Sequence, residues 1–412
     1  MHSTIPVLST ALALGLSLSL AQAQGTASLQ IFGRMDVGLT SFKGVDSKTT
    51  TLLSSGIGDS SSVGFKGEED MGGGYKAFFV LEHGLYADTG GTSQDAPISG
   101  IPAYTTAGIS DPGLQQLMQD QLGGYLLKQL KQDFWGRQTL VGLITPVGAV
   151  MAGRSYTPAY EIFDRYDPME SGNVAEPYAL LAVPVGLEIR TSHSLQYRIE
   201  QGGWSGALTW GASSLAANPS GRFYGFHAGY ENKAFSIGLA HQARQNSQGQ
   251  TGLTTSILGA WWRISAFKLM GSYIQARDQH PQGGVALQEG FSAQGAVPAP
   301  LQAAIDEVGR QLQVDSRVLS LGVQYQATPN LRLIANHAQL LDGKLAQGDA
   351  TLWGTAAEYA LSKRTSLWSA WSRINNEAQQ QIAPVTSGTL IGFANAPGQT
   401  TMALQLSVVH KF

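Results

Sequence analysis

Apolar and polar residues alternate along many short segments of this chain, most clearly at its C-terminus. In residues 402–412 every second side chain is large and apolar except His410, and the positions between are mostly small or polar. Residues 29–39 repeat the pattern, with Arg34 and Asp36 on the polar face. Strands with one apolar and one charged face are typical of transmembrane β-barrels, whose exterior meets lipid and whose interior meets water.

About sixteen such segments follow one another, separated alternately by short turns and longer polar loops. The predicted short turns are residues 71–74, 145–148, 201–203, 231–233, 327–330 and 361–364, with a tighter one near Ser265. The sequence therefore predicts an all-β fold, a transmembrane antiparallel barrel of about 16 strands with long external loops, over residues 24–412. A soluble β-sandwich would also show alternation and remains the alternative fold.

Aromatic residues lie near many strand ends, where a barrel carries belts at the two membrane interfaces. The residues assigned to these belts are Phe134, Trp135, Trp204, Trp261, Trp262, Trp368 and Trp371.

Two segments have a helical instead of an alternating pattern. Apolar residues recur at helical spacing in residues 114–131 and 300–312, inside an enlarged external loop of about 88–133 and a further long loop of about 278–314. These helices could form a lid or a subunit contact, or they could fold back on the barrel rim.

The N-terminus has the form of a secretory signal peptide, assigned to residues 1–23. Residues 5–20 are apolar apart from Ser and Thr, and Ala21-Gln22-Ala23 is a cleavage site of the A-x-A type. After it, no stretch reaches the roughly 18 uncharged apolar residues that a membrane helix needs. An exported chain with barrel strands is expected in the cell outer membrane.

Composition narrows the possible functions. Charged residues make up 13% of the chain and apolar residues 43%, which is too polar for a helical membrane bundle and too apolar for disorder. The net charge of -3 gives no reason to expect a nucleic-acid partner. The chain has no cysteine, so disulfides and thiolate metal sites are excluded, and we expect no cofactor or metal.

Several motifs, in a fixed order, resemble the general trimeric porins of Gram-negative bacteria. The matching stretches are residues 31–39 (IFGRMDVGL), 62–70 (SVGFKGEED), 74–82 (GYKAFFVLE), 134–138 (FWGRQ), 153–158 (GRSYTP) and 409–412 (VHKF). Each motif is weak alone, but together they extend along most of the chain. The resemblance implies a 16-stranded barrel, a homotrimer, and a third external loop, about residues 157–186, folded into the pore.

The same resemblance implies a pore waist with basic residues on the wall and acidic residues on the inward loop. The wall candidates are Arg34, Lys66, Arg137, Arg154 and Arg190, and the loop candidates are Glu161, Asp164, Asp167, Glu170 and Glu176. Some of these arginines could instead pair structurally with carboxylates. Fixed cations in a narrow aqueous pore attract anions, so the expected function is passive diffusion of small hydrophilic solutes and ions with an anion preference.

The resemblance to the trimeric porins also implies binding partners in the outer membrane. Outer-membrane lipid and lipopolysaccharide would surround the barrel, and the assembly machinery would read the terminal aromatic Phe412. The chain departs from the family at Ser61-Ser62-Val63, where an arginine is usual, at Val409, which is often arginine, and in its long second external loop. These departures weaken the expectation of anion preference and of the usual trimer contacts.

Three other functions are alternatives for a chain of this kind. A barrel enzyme would need a compact catalytic motif, and the chain has no G-x-S-x-G, H-E-x-x-H or P-loop sequence, so we expect no enzyme. An energy-coupled receptor would need a plug domain, for which there is no room before the first strand. A solute-specific channel, with the loop insertions forming a binding vestibule, remains the nearest rival.

Overall fold

A computed structural model describes residues 27–45, 50–58, 60–91, 100–130, 134–170, 172–182, 184–213, 221–344, 348–377, 379–386, 389–390 and 393–412. The predicted signal peptide, residues 1–23, lies outside these ranges and stays a prediction.

The described residues form a closed antiparallel β-barrel with sixteen strand positions, as the alternation predicted. The strands are β1 (Ala27–Lys43), β2 (Thr50–Ser55), β3 (Ser62–Gly72), β4 (Tyr75–Gly84), β5 (Gln138–Thr145), β6 (Gly148–Tyr156), β7 (Arg190–Gln201), β8 (Trp204–Gly211), β9 (Phe223–Glu231), β10 (Phe235–Gln245), β11 (Thr251–Ile264), β12 (Phe267–Asp278), β13 (Val314–Thr328), β14 (Leu331–Asp342), β15 (Ala350–Ala360), β16 (Thr365–Asn376), β17 (Val385–Thr386), β18 (Thr389–Leu390) and β19 (Thr401–Lys411).

Each barrel strand pairs with its neighbour along the chain, and β19 pairs with β1 to close the ring. The extra strand β2 shares one position with β3, since β1 pairs with β2 through Val37–Phe42 and with β3 through Ala27–Arg34. The hairpin of β17 and β18 lies in the loop between β16 and β19. Among the described residues the ring of barrel strands therefore has no first or last member, as a membrane barrel requires.

Outward positions are apolar and exposed, and inward positions are covered. Along β1, Leu29, Ile31 and Leu39 are exposed, whereas Thr40 and Phe42 are fully buried. Trp204, Trp262 and Trp371 face outward, as the aromatic belts predicted. Trp261 and Trp368 correct that prediction: strand alternation turns both inward, where Trp261 lies under Lys268 and Trp368 under Arg332.

Short turns join the strands at one end of the barrel, and helices fill the longer loops at the other. The helices are α1 (Gly100–Thr105), α2 (Pro112–Leu130), α3 (Pro158–Tyr166), α4 (Gln282–Ser292), α5 (Ala299–Leu312) and a 3-10 turn (Pro177–Leu181). Helices α2 and α5 cover the two segments with helical periodicity. Within the described part of the chain, no helix combines the length and apolarity needed to cross a membrane.

The connection between β6 and β7, residues 157–189, folds into the barrel and is called the inward loop. It begins with α3, where Thr157 caps the first turn by accepting from the Tyr160 amide at 3.3 Å and Pro158 occupies the first helical turn. The helix buries Ile162, Phe163 and Tyr166 against β9–β12. The inward loop therefore packs against the wall formed by β9–β12 and leaves the opposite side of the bore open.

Candidate functional site

An open cavity of about 550 Å³ lies between α3 and the wall formed by β1 and β4–β7. Among the described residues that line it, four arginines face three carboxylates. They are Arg34, Arg137, Arg165 and Arg198 against Glu82, Glu161 and Asp164, with Gln138, Tyr156 and Tyr160 between them. The formal charge of this lining is +1, because four positive charges meet three negative ones.

On the wall side, Arg137 is fixed by two partners. Its Nε donates to Glu82 Oε1 at 2.8 Å and its Nη2 to the Tyr156 hydroxyl at 3.0 Å. Burial lowers the pKa of the Arg137 guanidinium, but Tyr156 and Glu82 outweigh that effect and raise it above its ordinary value. Arg137 is therefore a permanent cation at the pore wall.

Arg190 reaches the same tyrosine from the start of β7. Its Nη2 donates to the Tyr156 hydroxyl at 3.4 Å, and its guanidinium lies 4.9 Å from the centre of the Tyr156 ring. Tyr156 in turn stacks on Tyr160 of α3, with ring centres 5.2 Å apart. The wall cations and the inward loop thus meet across a pair of aromatic rings.

Strand register places Arg34 and Lys66 on the inner face. Arg34 pairs with Ser62, and Gln30 pairs with Lys66, so these residues share the face opposite Leu29 and Ile31. Arg34 lines the cavity beside Arg137, whereas Lys66 lies two rows nearer the short-turn end. The alternation along β1 predicted this face for Arg34, whereas Lys66 was a candidate only through the family resemblance.

Arg154 differs from the prediction that it lines the pore. It pairs with Thr139, on the face that carries the exposed Val141 and Val150, so alternation turns its side chain outward. There its Nε donates to the Gly136 carbonyl at 2.7 Å and its Nη1 to Ser192 Oγ at 2.7 Å. Arg154 is therefore not among the described residues that line the cavity.

Two of the five candidate loop acids face the cavity. Glu161 forms an ion pair with Arg198 of β7 and lies 3.1 Å from His227 Nδ1, and Asp164 lines the cavity one helical turn further on. Burial and Asp164 together raise the pKa of the Tyr160 hydroxyl, which stays neutral. Acidic side chains of α3 and arginines of the wall thus face each other across the cavity.

Glu170 is turned away from this cavity and pairs with the opposite wall. Its carboxylate accepts from Arg332 of β14, with Oε2 2.7 Å from Nη2, and the same guanidinium donates to Glu358 at 2.6 Å. Burial opposes the charge of Glu170, but the hydrogen bonds and charge of Arg332 hold its pKa below the ordinary value. This ion pair fastens the inward loop to β14 and β15.

Asp167 and Glu176 are buried within the inward loop. Asp167 Oδ1 accepts from the Met169 amide at 2.9 Å, and Glu176 Oε2 accepts from the Gly172 amide at 2.8 Å. Burial, followed by the neighbouring charge of Asp167, raises the pKa of Glu176 well above its ordinary value. Both acids organise the loop backbone.

The cavity also contains residues that were not among the candidates from the sequence, chiefly Glu82, Arg165 and Arg198. Alternation could have identified two of them. Glu82 lies three residues from the outward-facing Phe79, and Arg198 directly follows the outward-facing Tyr197, so both point to the inner face. Arg165 lies on α3, and its orientation follows from the packing of Tyr166 on the wall. No strand pattern could have revealed it.

A closed barrel with an apolar exterior and a narrowed, charged bore defines a channel-forming membrane barrel. The chain belongs to the Gram-negative porin family, whose model matches residues 9–379. It is similar to outer membrane porin protein 32 of Delftia acidovorans, with 21% identity over 97% of this chain and 99% of that protein.

Solved structures share the fold. An anion-selective porin from Comamonas acidovorans superposes with a TM-score of 0.69 at 18% identity, covering 94% of this chain and all of that one. The trimer form of OmpT from Vibrio cholerae gives a TM-score of 0.57 at 11% identity, covering 94% and 100%. The protein is therefore a passive channel of the outer membrane, and family and fold point to a channel rather than an enzyme.

Proposed function

We propose that small hydrophilic solutes cross between α3 and the arginine-bearing wall, and that the passage prefers anions. The observation that carries this proposal is the cavity lining, in which four arginines meet three carboxylates. Arg190 stands immediately beside it on Tyr156. A surplus of fixed positive charge in a narrow aqueous passage lowers the barrier for anions and raises it for cations. The name of the anion-selective Comamonas porin agrees with this proposal.

Reversal potentials in a salt gradient, recorded across planar bilayers, test the preference. Arg190→Gln removes one cation at the passage and should shift selectivity toward cations, whereas Asp164→Asn should shift it toward anions. Arg317→Gln is the matched control, because Arg317 is exposed on the outer face of β13. A cation-selective wild type, or equal shifts for Arg190→Gln and Arg317→Gln, would contradict the proposal.

The ionic strength of these recordings separates an electrostatic preference from a steric one. The screening length falls from roughly 30 Å at 0.01 M salt to roughly 3 Å at 1 M. The anion preference should therefore be strong in dilute salt and shrink in concentrated salt. A preference that does not change with salt would mean that pore shape sets it.

We also propose that the chain works as a homotrimer. The family resemblance supports this, as does the fold shared with the OmpT trimer form of Vibrio cholerae. The unheated protein in mild detergent should have three times the mass of the heated chain by light scattering with detergent correction. A single-chain mass would reject the proposal.

Outer-membrane lipopolysaccharide is a further proposed partner. Lys43, Arg277, Arg317 and Arg373 are exposed on outward positions near the strand ends that carry the long loops. Phosphate groups bind such cations through charge-assisted hydrogen bonds. Replacing all four with glutamine should reduce lipopolysaccharide retained by the purified protein, and unchanged retention would reject this partner.

For Phe412 we propose the role of an assembly signal, read at the end of the last strand. The residue is partly exposed on the lipid side of the seam between β19 and β1.

A further inference from the structure

Helices from two separate loops share one apolar core outside the barrel. Helices α1 and α2 belong to the connection between β4 and β5, and α4 and α5 to the connection between β12 and β13. Met118 and Leu122 of α2 are fully buried against Leu287 of α4 and against α5, where Ile305 and Val308 are also buried. A core of this kind holds the helices together as one packed body.

Polar contacts join the same elements. The amide groups of Gln115 and Gln119 on α2 donate to Thr106, which follows α1. The residues after α1 lie close to α5, because a Cβ on Gly108 would be 2.5 Å from a carboxylate oxygen of Glu307. We call the assembly of α1, α2, α4 and α5 the bridge.

The two loops are rooted on opposite sides of the barrel. Counted around the ring from β1, strands β4 and β5 occupy the third and fourth positions, and β12 and β13 the eleventh and twelfth. In a ring of sixteen positions, these roots are eight positions apart, which is half the circumference. Because the two loops pack together although their roots are half the circumference apart, the helices span the end of the barrel that carries the long loops.

A third attachment holds the bridge near the seam. Tyr104 of α1 stacks on Phe393 in the loop between β16 and β19, with ring centres 4.8 Å apart and planes 9° from parallel. The bridge is thereby also fastened to the loop between β16 and β19, and Gln282 of α4 accepts from the Ser247 amide in the loop between β10 and β11 at 2.6 Å. Met118, Leu122 and Val308 in its apolar core are completely buried, and such burial favours helices that stay packed together over helices that separate often.

We propose that the bridge divides the mouth into side entrances and sets the size limit of the channel. It admits solutes of monosaccharide size and excludes oligosaccharides before they reach the waist. This inference rests on the proposed passage past α3. Among the α2 side chains that the structure describes, Gln116, Asp120 and Gln121 are exposed, and none is an arginine or lysine. The bridge therefore limits solutes by width, and the arginines below it attract anions.

Liposome swelling tests the size limit. Leu122→Asp places a charge in the core of the bridge, and Gln116→Asp adds the same charge at an exposed position of the same helix as a matched control. Rates are measured for arabinose and for the tetrasaccharide stachyose. Leu122→Asp should raise the ratio of stachyose to arabinose rates several-fold, with Gln116→Asp and wild type alike. Equal ratios in all three proteins overturn the proposal.

A second experiment tests the bridge without using transport. A Cβ on Gly283 of α4 would lie 3.8 Å from Leu122 Cδ1, so Leu122→Cys with Gly283→Cys should be joined by a short bismaleimide. The chain has no other cysteine. Cleavage after methionine, at Met151 and Met270 among others, should leave the two fragments joined. Their separation overturns the bridge even if the channel conducts, whereas joined fragments with no solute flux would reject the passage instead.

Discussion

At the residue scale, Glu170 and Glu176 of the inward loop lie in opposite electrostatic surroundings. Arg332 pairs with Glu170 and holds its pKa below the ordinary value. Burial and Asp167 raise the pKa of Glu176 well above it. Ionisation of Glu170 therefore stabilises the folded protein, whereas the surroundings of Glu176 favour its neutral form.

The two acids should therefore make opposite contributions to the pH dependence of stability. The folded state keeps the Glu176 proton after the unfolded chain has lost it, so stability falls as pH rises from the unfolded pKa to the raised folded pKa. Glu176→Gln removes this loss. Chemical unfolding of the detergent-refolded barrel, followed by tryptophan fluorescence, should show Glu176→Gln to be more stable than wild type at about pH 8 but similar at about pH 4.

Glu170→Gln is the matched control in the same loop. Its stabilising ionisation is present above the unfolded pKa and lost as pH falls through the lowered folded pKa. This variant should be less stable than wild type at about pH 8, with the difference shrinking toward acid pH. If both variants respond to pH in the same direction, the electrostatic assignments of the two acids are wrong.

Sequence alone could identify the inner-wall residues that lie on strands, because a residue's face follows from its parity with apolar neighbours. Arg34 was assigned in this way, whereas Lys66 was a candidate only through the family motif. Arg154 was a candidate through a family motif, but it has the same parity as the outward Val150, and the register turns it outward. The loop acids could not be ranked, because their orientation depends on how α3 packs against strands far away in the chain.

At the element scale, the inward loop lies close to the wall because glycines on the inner face leave room for it. A Cβ on Gly259 would lie 2.3 Å from the Tyr166 ring, and one on Gly322 would lie 2.3 Å from Pro168. Gly354 stands in the same way against Ala175, at 2.7 Å. These contacts fix the distance between the loop and the wall, and so the width left on the other side.

Gly259→Val should push α3 away from β11 toward the arginine side and narrow the passage. Forcing a side chain into a packed contact costs about 1–3 kcal/mol, which the helix can avoid only by moving. Single-channel conductance should fall, while Gly271→Val should leave it unchanged, because Gly271 lies on the outer face of β12. Adding Tyr166→Ala to Gly259→Val should restore conductance, because it removes the ring that the valine side chain would contact. Equal conductance in both single variants would contradict this account of the loop.

Elements with strong periodicity could be predicted, and elements determined by tertiary contacts could not. Alternation identified the barrel strands, and helical spacing identified α2 and α5. Helix α4 carries Gly283 and Gly284 in its first turn, and such residues disfavour a helix by about 1 kcal/mol each. It is stabilised by packing on α2 and α5, which the local sequence does not encode.

At the scale of the whole molecule, the barrel closes where β19 meets β1. The two strands pair from Arg34–Lys411 to Lys43–Met402, and the ladder ends with Phe412. The Gly33 amide donates to the Phe412 carbonyl and the Phe412 amide to the Gly33 carbonyl, both at 3.1 Å. The Phe412 ring covers Gly33, because a Cβ there would lie 2.7 Å from Cζ. An aromatic ring laid over a strand glycine stabilises the pairing of neighbouring strands.

Phe412 therefore has a structural contact at the seam and a proposed role as an assembly signal, and two substitutions separate them. Gly33→Ala disturbs the seam contact but keeps the terminal aromatic, whereas Phe412→Ala keeps both backbone hydrogen bonds and removes the aromatic. Assembly in cells is measured as the heat-modifiable fraction in outer membranes, and seam stability as unfolding of the refolded barrel. Phe412→Ala should lower assembly far more than Gly33→Ala. Gly33→Ala should nevertheless destabilise the refolded barrel at least as much as Phe412→Ala, because a Cβ on residue 33 would also lie 2.4 Å from the Ser62 carbonyl oxygen. If assembly instead falls in proportion to seam stability in both variants, Phe412 acts through packing alone, and recognition of the terminal residue is not needed to explain how the ring closes.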